Sequence, residues 1–142
     1  MKDAKDLGFP LYACSREITK RYNQAFSDLD LTYTQYLVLR ALRHSESGTL
    51  KEIGDVLLLD SGTLTPLCKK LSGRGLITRE RSGEDERNLI VTITEKGKAL
   101  FEEAEKALEN ADFNTRLTED QLTRLAGLTN ALLSDLENRR KP

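Results

Sequence analysis

The sequence has no tryptophan, one methionine, one histidine, two cysteines and three prolines in 142 residues. Aromatic residues make up only 6%. That is too few for an aromatic-rich β-sandwich, so a leucine core carried on helices is expected. His44 alone cannot build a His-rich metal centre or a His-dependent triad. Cys14 and Cys68 are too few for a disulfide scaffold or an all-cysteine zinc site. No metal, cofactor or enzymatic chemistry is therefore expected. No apolar run approaches the roughly 18 residues of a membrane span, and the opening MKDAKD lacks the apolar stretch of a signal peptide. These absences point to a soluble, cytoplasmic protein with no membrane partner.

What is present is a length suited to one compact domain, with 38% hydrophobic and 32% charged residues. Leu11, Cys14, Ile18 and Ala25 form one helical stripe within a first helix over 7–29, its regular part able to start at Pro10. Thr32 and Gln35 have the spacing of a capping box for a largely buried second helix, Tyr33–His44. Gly48 and Thr49 mark a turn before a short helix, Leu50–Leu57. In 60–75, Leu64, Leu67, Cys68 and Leu71 make a buried face, with Ser61, Thr65, Lys69 and Lys70 away from it. Read locally, Pro66 would start that helix late, and Gly73 and Gly75 end it. Leu76–Arg81 and Asn88–Thr94 read as a β-hairpin across the polar turn SGEDER. Two longer helices follow, Thr94–Ala111 and Thr118–Asn138, the second opened by a Thr118–Gln121 capping box. The fold expected is mainly α with a small β-hairpin, a winged helix-turn-helix. Its parts are an N-terminal helix in 1–32, the winged unit in 33–94 and C-terminal helices in 95–142.

Net charge is −1, which argues against a non-specific nucleic-acid binder but not against a local basic face. Residues 60–81 hold Lys69, Lys70, Arg74, Arg79 and Arg81 against Asp60 and Glu80, so positive charge concentrates on the second helix of the motif and the first wing strand. Such a unit reads DNA by placing short polar and basic side chains in the major groove while flanking cations hold phosphates. Arg87, at the hairpin tip, is placed to enter a minor groove. Taken singly, each of these cations also suits a merely solvated helix face. His44, at the end of its helix, reads as a dipole partner.

The segments LYACSREITKRY (11–22), LTYTQYLVL (31–39), LDSGTLTPLCKKL (59–71) and GLITRERSGEDERNLIVTITEKG (75–97) resemble the MarR family of transcriptional regulators. Within it they are most similar to the organic-hydroperoxide-responsive branch. The likeness runs from Leu7 to about Leu100. It implies a repressor that is a homodimer through its first and last two helices, bound to a palindromic double-stranded operator. It also implies that Pro66 is tolerated inside the helix. Carried over, Ser61, Thr63, Thr65 and Pro66 face the major groove, with Lys69 and Lys70 on phosphates or base edges. Arg81 and Arg87 belong to the wing, and Asp85 orients its basic side chains.

In that branch a reactive cysteine lies between a leucine and a phenylalanine early in the first helix. Here the triplet is Leu7-Gly8-Phe9, so the thiol is missing. Tyr12, Tyr22 and Tyr33 match the tyrosines of the branch's pocket. Cys14 is the substitute sensor, six residues on and about 240° round the helix. The alternative is a small buried residue between Leu11 and Ile18. Cys68, on the leucine face, reads as core. Release by an organic hydroperoxide and release by a small aromatic or acidic effector both remain open. So does a protein-interaction module that uses the C-terminal helices. A thiol peroxidase using Cys14 has no acid–base partner in the sequence.

Overall fold

The computed structural model describes residues 4–81 and 89–138. They fall into two compact units, residues 1–112 and 113–142.

In the first unit a short 3-10 turn, Ala4–Leu7, leads into α1, Gly8–Ala25. The helix starts two residues before Pro10, which sits in the first turn where a missing N–H costs nothing. A second 3-10 turn, Ser27–Leu29, separates α1 from α2, Tyr33–Ser45. Thr32 and Gln35 form the expected capping box at the start of α2. Thr49 and Glu52 form another at the start of α3, Leu50–Leu57, reciprocally satisfying two donors at each helix start. Helix α4 runs Ser61–Gly73 with Pro66 inside it, longer than the local reading of Pro66 suggested. Asp60 caps it, and Pro66 has no N–H for the Gly62 carbonyl four residues back, an exposed position where water can replace the bond.

The wing is larger than a hairpin. Strands β2, Ile77–Arg81, and β3, Leu89–Ile93, pair antiparallel as expected. A further strand, β1, Ser47–Thr49, pairs with β3 on its other side, giving the order β1-β3-β2. The turn expected between them, which carries Asp85 and Arg87, lies outside the described residues. Helix α5, Glu95–Glu109, begins at the Thr94 cap.

The core of this unit lies where α2, α4, β2, β3 and α5 meet. Phe26, Val38, Leu39, Leu42, Leu64, Cys68, Leu71, Leu76, Ile77 and Val91 are fully enclosed. Leu67, expected on the same face of α4, is half-buried at its edge. Tyr36 ties α2 to α5 by donating its hydroxyl to Glu105 at 2.6 Å.

The second unit contains α6, Glu119–Asn138, which has no buried residue. Its Thr118–Gln121 box is formed as expected. Leu122, Leu125, Leu128, Leu133 and Leu136 are all exposed, Leu128 at 71%. In the first unit α1 likewise has no buried residue, and Phe9, Leu11, Tyr12 and Ile18 stand open, Phe9 at 77%. Among the described residues no helix is long and apolar enough to cross a membrane.

Candidate nucleic-acid interface

Helix α4 is anchored by three residues on one side, Leu64, Cys68 and Leu71. Their spacing of four and three turns Ser61, Thr63, Pro66, Lys69 and Lys70 outward, and all five are exposed. Thr65 is half-buried, at the edge of the anchored face. Ser61, Thr65 and Lys69 line a cleft of about 780 Å³, which they share with Lys51 of α3 and with Arg79 and Arg81 of β2. Lys70 lies on the other flank, in a hollow with Asn23, Thr32 and Arg74. The two adjacent lysines thus serve opposite edges of the helix. Lys69 and Lys70 flank the outward face of α4, and the cleft on one side of it sets Lys51, Arg79 and Arg81 against Asp55 and Asp60.

Asp60 holds the start of this helix. Its carboxylate accepts from the Thr63 N–H at 2.9 Å and from the Thr63 hydroxyl at 3.1 Å. Those bonds, the backbone one foremost, hold its pKa below the usual carboxylate range. A depressed folded pKa stabilises fully above the unfolded value of about 3.9 and is lost as pH falls through the lower folded value. The protection of the first-turn amides of α4 against hydrogen exchange, taken relative to the intrinsic rate at each pH, is accordingly expected to fall below about pH 4. In an Asp60→Asn variant, which keeps an acceptor but cannot ionise, that fall should be absent.

Arg79 was not singled out by sequence reasoning as a contact. Its Nε is buried and makes no hydrogen bond, and its charge lies close enough to act on Cys68. Burial nevertheless pushes the Cys68 thiol up to about 11, far from the thiolate that reacts with oxidants. Cys14 is exposed. Within the single chain this departs from the alternative of a small buried residue between Leu11 and Ile18, which are exposed as well, whereas Ala25 at the end of the stripe packs against the core. A thiol-reactive disulfide reagent at neutral pH is expected to reach Cys68 only in denaturant, in wild type and in Cys14→Ser alike. Two fast thiols in the native protein would contradict the burial of Cys68.

The tyrosines separate into two places. Tyr22 and Tyr33 stack at 4.2 Å between ring centroids, and Tyr36, Phe26 and Phe101 extend the stack into the core. Tyr12 stands apart on α1, accepting from Arg16 at 3.1 Å. Burial raises the pKa of Tyr33 and of Tyr36, the latter helped by Glu105, so both phenols stay neutral. Tyr36 was missed in the sequence because its partners lie on α1 and α5. Cys14 and Tyr22 are eight residues apart on one helix, about 12 Å along its axis, so one chain does not bring them together. An added Cβ at Gly8 would meet nothing within 4 Å.

Residues 20–104 match the family described as transcriptional regulator SarA/Rot. The organic hydroperoxide resistance transcriptional regulator of Bacillus subtilis (strain 168) is 50% identical over 104 residues, 73% of this chain and 71% of that protein. The crystal structure of AbfR of Staphylococcus epidermidis has a TM-score of 0.82 at 30% identity, covering 95% of this chain and 92% of that one. Reduced AbfR bound to DNA gives 0.77 at 34%, covering 94% and 93%. A mutant MarR from E. coli complexed with operator DNA gives 0.75 at 26%, covering 90% and 94%. The structural matches take in 90% or more of this chain, beyond the segments whose motifs carried the likeness. The chain belongs to the SarA/Rot family of transcriptional regulators and carries the winged helix-turn-helix of the MarR-type proteins.

Proposed function

We propose that this chain is a cytoplasmic, homodimeric repressor that places α4 of each subunit in a major groove of a palindromic double-stranded operator and is released when Cys14 is oxidised. The observation that carries the reading is the joining of Ser61, Thr65 and Lys69 of α4 with Arg79 and Arg81 of β2 around one cleft. Short hydroxyls for base edges then stand beside cations for phosphates. Thr63, Pro66 and Lys70 complete the outward face; Arg87, outside the described residues, enters the minor groove in this reading, with Asp85 orienting the basic side chains of the wing. The solved relatives AbfR and MarR on DNA support the docking.

The exposed apolar residues of α1 and of α6 supply what a homodimer needs to cover. Cys14 lies in the α1 stripe, so a polar oxygen added there disturbs the surface on which the subunits meet. In that step the Cys14 thiolate bonds to one oxygen of an organic hydroperoxide as the O–O bond breaks. Sulfur gives up two electrons, and the departing alkoxide takes a proton from water and leaves as an alcohol. The changed dimer no longer fits two half-sites about one helical turn apart.

The test is binding to a palindrome selected from random duplexes, reduced and after one equivalent of organic hydroperoxide, for wild type and Cys14→Ser. Wild type alone is expected to dissociate. Release of both proteins would remove Cys14 from the mechanism. Release of neither would favour a second reading, in which a small aromatic or acidic effector acts at the stacked pair Tyr22 and Tyr33, with Tyr12 contributed across the dimer. A protein-interaction module would select no duplex, and its binding would barely respond to salt.

A further inference from the structure

Arg74 follows the last residue of α4, and its side chain turns back across the fold. One guanidinium nitrogen, Nη1, donates to the carbonyl of Asp30, and the other, Nη2, donates to that of Leu29 at 3.2 Å. Those carbonyls belong to the corner between α1 and α2. The corner is itself held fast: Phe26 and Leu31 are buried, and Asn23 of α1 accepts from the Tyr33 N–H at 2.7 Å. Backbone atoms of Arg74 complete the junction. Its N–H closes α4 on the Lys70 and Leu71 carbonyls, each at 3.2 Å. Its carbonyl accepts from Lys96 Nζ of α5 at 2.8 Å.

Most of the remaining attachment of α4 is apolar, with Leu64, Cys68 and Leu71 buried and Leu67 at the edge of the core. Such packing holds a helix close but resists small rotation and sliding weakly, whereas a planar two-pronged donor on two successive carbonyls fixes direction. We infer that Arg74 is a positioning residue for operator recognition: it sets the rotation and height of α4 against the α1–α2 corner without itself engaging DNA. A movement of α1 then reaches the reading helix through the Leu29 and Asp30 carbonyls. The inference rests on the operator-binding reading above and adds a residue to it.

The competing role for an arginine here is a phosphate contact, since Arg74 shares a hollow with the exposed Lys70. The two roles separate in Arg74→Lys, which keeps the charge but is shorter and lacks the planar fork, and Arg74→Met, which loses both. The full-length proteins are to be measured against the operator selected on wild type and a scrambled duplex of the same length, over a range of KCl. Positioning predicts about a tenfold loss of operator affinity in both variants, with scrambled-duplex affinity and salt slope for Arg74→Lys unchanged. Thermal unfolding of Arg74→Lys should stay within a few degrees of wild type.

A phosphate contact predicts that Arg74→Lys binds as wild type, while Arg74→Met weakens equally on both duplexes with a shallower salt slope. That result overturns the inference, as does wild-type behaviour of both variants. A wild type that selects no duplex overturns the operator reading instead, and the role of Arg74 with it.

Discussion

Gly97→Ala is expected to lower stability by about 3 kcal/mol or more, a large part of the roughly 5–15 kcal/mol that holds a domain of this size. A Cβ at position 97 would stand 2.1 Å from the Leu76 carbonyl oxygen and 2.9 Å from Ile93 Cγ1. The closer obstacle is backbone, so no rotamer change relieves it. Leu76 cannot retreat cheaply either. It is buried, and its carbonyl accepts the Thr94 N–H at 3.1 Å. Gly97 is held in turn by its own N–H on the Thr94 hydroxyl at 3.0 Å. The methyl group must therefore pry the first turn of α5 from the segment joining α4 to the wing. Thermal unfolding at matched protein concentration should show the midpoint fall by about 10 °C or more. Gly73→Ala, where an added Cβ meets nothing within 4 Å, serves as the control and should stay within a few degrees. A Gly97→Ala midpoint equal to the control would mean that this close approach is not a feature of the protein.

Replacing Lys69 and Lys70 together with alanine is expected to cost about a hundredfold or more in operator affinity near 0.1 M salt while leaving the fold intact. Both side chains are exposed and neither is part of the packing that anchors α4. If each meets a phosphate, a dimer loses four such contacts. The dependence of log affinity on log salt should then become shallower by about 3 to 4. Affinity for a scrambled duplex should fall with it, because phosphate contacts carry little sequence information. Binding titrations at several KCl concentrations check this. An unchanged slope with lost operator discrimination would assign the lysines to base edges.

The parts legible in the sequence are those whose cause is local. The Thr32–Gln35 and Thr118–Gln121 boxes and the bounds of α3 depend on residues within one turn of each other. The outward face of α4 follows from the spacing of its leucines. Strand β1 was not legible, because Ser-Gly-Thr carries no alternation and its partner, β3, arrives only after the whole reading unit has passed. Pro66 misled a local reading because the helix start is decided by Asp60, six residues before it. Two readings of Cys14 stayed open for a different reason. A helical stripe indicates that a face will be covered, not whether the same chain covers it. Arg74, Arg79, and the Tyr36–Glu105 bond escaped for a related reason. Each is a side chain whose meaning comes from a carbonyl, a cavity or a carboxylate distant in the chain.

The pairing of β1 with β3, which sets Ser47 opposite Thr92, has a consequence for how the protein is made. Between those strands lie both helices of the reading unit and β2, so the small sheet is a closure of high contact order. During synthesis α2, α3 and α4 can form early from their own caps. Yet β2 has no neighbour, and the Glu46 carbonyl waits for the Ile93 N–H that meets it at 2.9 Å in the finished fold. The reading head is thus locked late, by one strand that satisfies two others at once. A chain interrupted before that strand leaves an unpaired edge that invites aggregation.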